Sequence, residues 1–184
     1  MQVEETEIDG VVALTPRRFA DDRGWFSETW NQRTLMDAGL DIEFVQDNHS
    51  FSAPKHTVRG LHYQSPPAAQ GKLVRVLRGE IFDVAVDVRK SSPTFGKWVG
   101  VNLSAENGKQ LYIPTGFLHG FVTLVENTEV AYKCTDFYTP ECDGGVAFDD
   151  PDLAIDWGIP KNSAVLSTKD AAAPRFADFN SPFA

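Results

Sequence analysis

Thiols are scarce in this chain. Cys134 and Cys142 are the only cysteines among 184 residues, and no second cysteine pair or Cys/His cluster stands near them to complete a zinc site. They read as free thiols. Basic residues are also short, with 17 Lys and Arg against 26 Asp and Glu and a net charge of −9. That balance argues against nucleic acid or an anionic membrane as partner, because such surfaces select an excess of cations. An anionic ligand would need a local basic patch. No apolar run approaches the roughly 18–20 residues of a spanning helix, and the start MQVEETEIDG has neither the charged nor the apolar region of a signal peptide. The expected location is the cytoplasm.

What is present is a hydrophobic fraction of 42% over 184 residues, which suits one globular domain, residues 1–184, with enough apolar surface to fold without staples. The stretch Val58 to Lys72, V-R-G-L-H-Y-Q-S-P-P-A-A-Q-G-K, concentrates an arginine, a histidine, two glutamines and a lysine beside strand-like and turn-forming residues. A buried polar atom without a partner costs of order ~1–3 kcal/mol. Either something polar is bound there or the strand is exposed.

Along the chain, Val11 to Leu14 is apolar, and strands are expected at Trp25 to Trp30 after the turn Asp22-Arg23-Gly24 and at Glu43 to Ser50. A helix is expected from Gln32 to Ala38, capped by Asn31 and stopped by Gly39. Leu73 to Leu77 and Ile81 to Val88 flank Arg78-Gly79-Glu80 and read as a hairpin, with Phe82, Val84, Val86 and Val88 on a core face and Asp83 and Asp87 opposite. Further strands fall at Trp98 to Leu103, Gln110 to Ile113, Gly120 to Val125 and Val130 to Tyr138, and a helical turn at Ala171 to Ala173 that Pro174 ends. Many short strands with regular turns mean a sandwich or barrel.

In the strand Val130 to Tyr138 the pleat aligns Tyr132 with Cys134, Asp136 and Tyr138. That face either lines a cavity or sits solvated on an edge strand. The turn I-P-T-G-F-L-H-G, Ile113 to Gly120, resembles the second motif of cupins, P-x-G-x-x-H. Metal-binding cupins carry H-x-H in their first motif, and the matching place here reads His62-Tyr63-Gln64. One imidazole does not make a facial ligand set, so no metal is expected, and a metal-dependent oxygenase is disfavoured.

Several blocks together resemble the dTDP-4-dehydrorhamnose 3,5-epimerase family: D-R-G-W (Asp22 to Trp25) with Phe26, R-G-L-H-Y-Q (Arg59 to Gln64), Q-G-K-L-V-R (Gln70 to Arg75), G-E-I-F-D-V-A-V-D-V-R (Gly79 to Arg89), S-P-T-F-G-K-W (Ser92 to Trp98), I-P-T-G-F-L-H-G-F (Ile113 to Phe121), F-V-Q-D-N-H-S (Phe44 to Ser50) and L-S-T-K-D (Leu166 to Asp170). The resemblance implies an all-β, cupin-type double-stranded β-helix (jelly roll) with a few short helices. It also implies a homodimer without cofactor, whose partner is a dTDP-linked 4-keto-6-deoxyhexose inverted at C3 and C5. It assigns His62 as base, Asp170 as the carboxylate that orients it, Tyr132 as the acid across the sugar and Lys72 as the cation near the ketone oxygen. For diphosphate and nucleotide it points to Arg23, Arg59, His119 and Lys169, with Glu28, Gln46 and Asn48 as polar contacts and Phe19, Phe26 and Tyr138 as faces for the thymine. Where the family has Glu in P-x-x-E, this chain has Asp143 on a shorter arm, so a nucleotide contact there is lost or bridged by water. Single-centre epimerases, ketoisomerases and a non-catalytic sugar-nucleotide binding module remain rival readings. By strict alternation Arg59 and His62 point to opposite faces, which predicts an irregularity near Gly60.

Overall fold

The computed structural model describes the backbone of residues 1–184 and every side chain except that of Lys161. In chain order its strands are β1 (Gln2–Glu5), β2 (Val12–Thr15), β3 (Arg18–Asp21), β4 (Gly24–Ser27), β5 (Gln46–Ser52), β6 (Val58–Gln64), β7 (Lys72–Arg78), β8 (Glu80–Asp87), β9 (Trp98–Ser104), β10 (Gln110–Ile113), β11 (Phe117–Thr123), β12 (Thr128–Cys134) and β13 (Asp143–Gly145). Helix α1 spans Gln32–Asp37 and α2 spans Thr168–Ala171. A six-stranded sheet runs β1-β2-β10-β7-β12-β5, a five-stranded sheet runs β13-β6-β11-β8-β9, and β3-β4 form a separate hairpin. This is the expected all-β jelly roll, with pairing between strands distant in sequence.

Three apolar clusters hold the layers. Val74, Val76, Ala85, Leu111, Phe117, Phe121 and Val130 fill the space between the sheets. Val84, Val86, Leu118 and Val122 turn to the outer face of the five-stranded sheet, where the carboxyl-terminal segment covers them with Phe148, Trp157 and Phe183. On the outer face of the six-stranded sheet, Leu14 and Leu73 receive Leu35 from α1. Each fully buried aliphatic side chain contributes about 1.5–3 kcal/mol.

The helix α1 starts as read, with the Asn31 side chain accepting from the N–H groups of Arg33 and Thr34. Elsewhere the structure corrects the sequence reading. Residues 78–80 do not close a hairpin, because β7 belongs to the six-stranded sheet and β8 to the five-stranded one. Gly79, at φ +83 and with Thr128 Oγ1 only 2.5 Å from where a Cβ would sit, carries the chain across the sandwich. Alternation alone cannot tell an in-plane turn from such a crossing. Asp83 and Asp87 lie opposite Val84 and Val86, as read, and that face is covered too. Both are fully buried, because β8 lies between β11 and β9 with both faces covered. Helix α2 begins at Thr168, three residues before the expected helical turn, because Ser167 caps it by accepting from the Asp170 N–H. The strand expected at Trp25 to Trp30 ends at Ser27, and the one expected at Val130 to Tyr138 ends at Cys134.

The irregularity near Gly60 is present. Opposite β11, His62 pairs with His119 but Arg59 pairs with Phe121, so β6 carries one extra residue. Gly60 sits at φ +122, with the backbone of His119 and Gly120 2.6 Å from a would-be Cβ. Only glycine allows so close an approach. The extra residue restores the phase of the pleat and sends Arg59 and His62 into the same cavity.

Candidate active site

Two adjoining hollows, of about 430 and 220 Å³, share His62, Lys72, Tyr132 and Lys169 in their walls. Together they fall within the range of small-molecule pockets. His62 comes from β6 of the five-stranded sheet, while Lys72 from β7 and Tyr132 from β12 belong to the six-stranded sheet. Base and phenol therefore stand on facing walls. Because β12 lies between β7 and β5, Tyr132 lines the cavity and is not on an edge strand.

His62 Nε2 lies 2.5 Å from Asp170 Oδ1. A ring nitrogen facing a carboxylate carries the proton and donates it, which leaves Nδ1 with the free lone pair. Asp170 is held in turn, since Ser167 Oγ donates to its Oδ2 at 2.8 Å and accepts from its N–H at 3.1 Å. The imidazole keeps 30% of its surface and the carboxylate 6%. Burial pushes the His62 pKa below 6.5, the Asp170 contact pulls it back upward, and Lys72 and Lys169 add to the downward push. The imidazole is thus neutral near pH 7 and able to accept a proton.

Burial raises the Tyr132 phenol above its ordinary 10, so at neutral pH it is a donor. Burial acts oppositely on Lys72, lowering its pKa. Cys134, Asp83 and Asp143 counteract this and Lys169 reinforces it. Arg59 reaches the smaller hollow and is steadied by Ser52 Oγ at 3.2 Å and the Phe51 carbonyl at 3.0 Å. His119 lies in the same hollow, buried, with Nε2 2.7 Å from Asp83 Oδ1.

The wider hollow gathers Gln46, Asn48, Tyr138, Asp143 and Lys169. Asp143 forms an ion pair with Lys169 and accepts from the Tyr138 hydroxyl at 3.4 Å. Gln46 donates to Asn48 at 3.1 Å and accepts from the Tyr138 N–H at 2.9 Å. Gln64, by contrast, is structural, donating to the carbonyls of Ala68 and Phe137 and accepting from the Thr139 N–H. Part of the polar richness of residues 58–72 is therefore satisfied inside the fold.

Four of the expected binding residues are not brought to this cavity. Phe19, Arg23, Phe26 and Glu28 belong to β3-β4 and the residue after it, are exposed, and line neither hollow. Arg23 is paired with Asp21 at the tip. Conversely, the sequence reading passed over Ser167 and Asp83. The S-T-K-D run carries the signal for Ser167 as a cap, and an aspartate inside a central apolar strand was the signal for Asp83. Among the described residues, no three His, Cys, Asp or Glu side chains gather as a metal-ligand group.

The profile of the family described as dTDP-4-dehydrorhamnose 3,5-epimerase matches residues 5–178. A dTDP-4-dehydrorhamnose 3,5-epimerase of Salmonella typhimurium is 54% identical over 175 residues, covering 95% of this chain and 94% of the relative. The fold superimposes at a TM-score of 0.92, with 48% identity, on a dTDP-6-deoxy-D-glucose-3,5-epimerase from Legionella pneumophila Philadelphia 1 in complex with dTDP-4-keto-L-rhamnose, covering 97% of this chain and 94% of that one. A dTDP-4-dehydrorhamnose 3,5-epimerase from Bacillus anthracis with TDP and PPi bound also gives 0.92 and 48%, with 95% and 99% covered.

Proposed function

Since the chain belongs to the dTDP-4-dehydrorhamnose 3,5-epimerase family, we propose that it inverts C3 and C5 of dTDP-4-dehydro-6-deoxy-D-glucose to give dTDP-4-dehydro-L-rhamnose, with its own side chains supplying base, acid and charge. The observation that carries this reading is the His62–Asp170 pair on one wall of the cavity and Tyr132 on the facing wall.

A hydrogen on carbon next to the C4 ketone is acidic because the electron pair left behind spreads onto the ketone oxygen as an enolate. In the proposed mechanism, His62 Nδ1 takes that proton while Asp170 holds the ring and stabilises the imidazolium that forms. The Lys72 ammonium faces the enolate oxygen, where a fixed cation in a poorly hydrated site lowers the barrier. Tyr132 returns a proton to the opposite face of the same carbon, which inverts it. His62 then loses its proton to solvent and Tyr132 regains one, and the sequence repeats at the second carbon. No cofactor is required by these steps.

Arg59 and Lys169 are the cations available to the diphosphate, with the His119 ring beside Arg59 in the smaller hollow, and Arg59 suits it best through its paired N–H groups. Gln46, Asn48, Tyr138 and Asp143 would receive the nucleotide in the wider hollow. The aromatic side chains Phe19, Trp25, Phe26 (70% exposed) and Phe51 are exposed, and large apolar side chains gathered at a surface mark sites of association. They support a homodimer. Because the hairpin residues line neither hollow of their own subunit, contact of Phe19, Arg23, Phe26 or Glu28 with a ligand would be made across that dimer. Light scattering coupled to gel filtration tests it: a mass of two chains is expected, and a single-chain mass at micromolar concentration would remove it.

The decisive test of the reaction is turnover in heavy water followed by NMR. Deuterium and inversion at both C3 and C5, lost in His62→Ala, are expected. Label at one carbon would assign a single-centre epimerase. No label, in folded protein that still binds dTDP, would leave a binding module.

A further inference from the structure

We infer that Asp83 is a positioning residue of this site, the anchor of His119 and, from β8 of the five-stranded sheet, the counter-charge to Lys72 on β7 of the six-stranded one. The inference rests on the epimerase reading above and deepens it. Asp83 is fully buried in β8. A buried carboxylate is costly unless its oxygens are matched. One of them is, since Oδ1 meets His119 Nε2 at 2.7 Å. The other, Oδ2, is buried with no hydrogen-bond partner.

The surrounding charges say what the open oxygen serves. Asp143 on β13 is neutralised by the Lys169 ammonium. Asp170 on α2 has both oxygens engaged, by His62 and Ser167. Asp83 meets only His119, which lines the smaller hollow, and keeps an unmatched oxygen, so among these carboxylates it is the one not saturated by its neighbours. Lys72 is the ammonium without a carboxylate of its own, because the acidic groups that act on it, Asp83 and Asp143, are in contact with His119 and Lys169. The other titratable groups around it are the Cys134 thiol and the Tyr132 phenol on β12, His62 and Arg59 on β6, His119 on β11, and Lys169 and Asp170 on α2, of which Lys169 works against its protonation. Burial works to strip the proton from Lys72, and the Asp83 charge opposes this. Without a proton Lys72 could not steady an enolate oxygen. A contact ion pair would quench the cation. A carboxylate held off by its bond to His119 keeps the ammonium charged and leaves it free for substrate.

The test compares wild type with Asp83→Asn and Asp83→Glu. Lys72 is titrated by 13Cε NMR, with its signal assigned by loss in Lys72→Met, and turnover is followed by deuterium exchange across pH. In Asp83→Asn the expected result is a Lys72 titration lower by about one unit or more, a factor of ten in its protonation equilibrium. The alkaline limb of kcat should move down by the same amount, with kcat falling about tenfold or more while KM changes less. Asp83→Glu should restore most of the Lys72 titration. Unchanged Lys72 titration in Asp83→Asn, or a loss confined to KM, would overturn the inference. If Asp83→Asn does not fold, Asp83→Glu decides: a Lys72 that titrates as in wild type supports the role, and one displaced downward despite the retained charge overturns it. The Lys72 titration needs no substrate. Failure of the epimerase reading would therefore show as wild type that exchanges no deuterium, separately from any failure of the role given to Asp83.

Discussion

His62 and Asp170 stand 108 positions apart in the chain and 2.5 Å apart in space, joined Nε2 to Oδ1. The carboxyl-terminal segment makes this meeting possible. It covers the outer face of the five-stranded sheet through Phe148, Trp157 and Phe183, and α2, capped by Ser167, packs against β6. The dyad depends on that apolar cover as much as on its own contact.

The dyad sets the acid side of the pH profile. The base must be neutral to work, and burial holds the His62 pKa below 6.5. The acid limb of kcat/KM is therefore expected below pH 6.5. Asp170→Asn removes an influence that raises the His62 pKa, so the limb should move further down while the plateau falls about 100-fold or more through loss of ring orientation and imidazolium stabilisation. Initial rates from pH 4.5 to 8 measure both. A limb that moves upward would show that Asp170 does not act on His62 as a carboxylate.

Tyr132→Phe separates proton removal from inversion. The phenylalanine keeps the packing against the inner core but has no proton to give. Deuterium should still enter at the carbon that His62 serves, with retained configuration, while inversion slows about 100-fold or more. NMR of the recovered sugar nucleotide reads label and configuration together. Unimpaired inversion would move the acid role to another side chain.

Gly60→Ala should act on fold and site at once. The new methyl would meet the backbone of His119 and Gly120 at 2.6 Å, at a φ of +122. A loss of about 2 kcal/mol or more is expected in urea unfolding. Because the extra residue in β6 is what aligns Arg59 with His62, kcat/KM for the nucleotide sugar should fall as well. A variant as stable as wild type would contradict the close approach of β6 and β11.

Asp87 governs stability in acid. Burial pushes its pKa up, but hydrogen bonds from Arg89, Ser92 and Thr94 outweigh this and bring it from 3.8 to about 2. A carboxyl whose pKa is depressed on folding contributes stability that is complete above its unfolded pKa and lost as pH falls through the folded one. The contribution is therefore full above about pH 4 and fades toward pH 2. Asp87→Asn should destabilise the protein at pH 7 and cost progressively less between pH 4 and pH 2, as denaturant midpoints would show.

Much of this was legible from the residues. Apolar alternation and turn spacing announced an all-β fold, Asn31 and Gly39 bounded α1, and the clash of phase between Arg59 and His62 located the irregularity at Gly60. Those are local properties, fixed by pleat geometry, capping and the freedom of glycine at positive φ. What the sequence could not decide was which strands pair. The segment around Gly79 has the pattern of a hairpin and is a crossing between sheets, because pairing depends on which apolar faces find each other after collapse. For the same reason the sequence left open whether the face that carries Asp83 and Asp87 is covered. A period of two records that a strand has two sides, and only the packed neighbours determine that both sides of β8 are covered. The chain thus specified by itself the strands and the chemical groups. The tertiary structure alone set Tyr132 across from His62, brought Asp170 to the imidazole and left one oxygen of Asp83 without a partner.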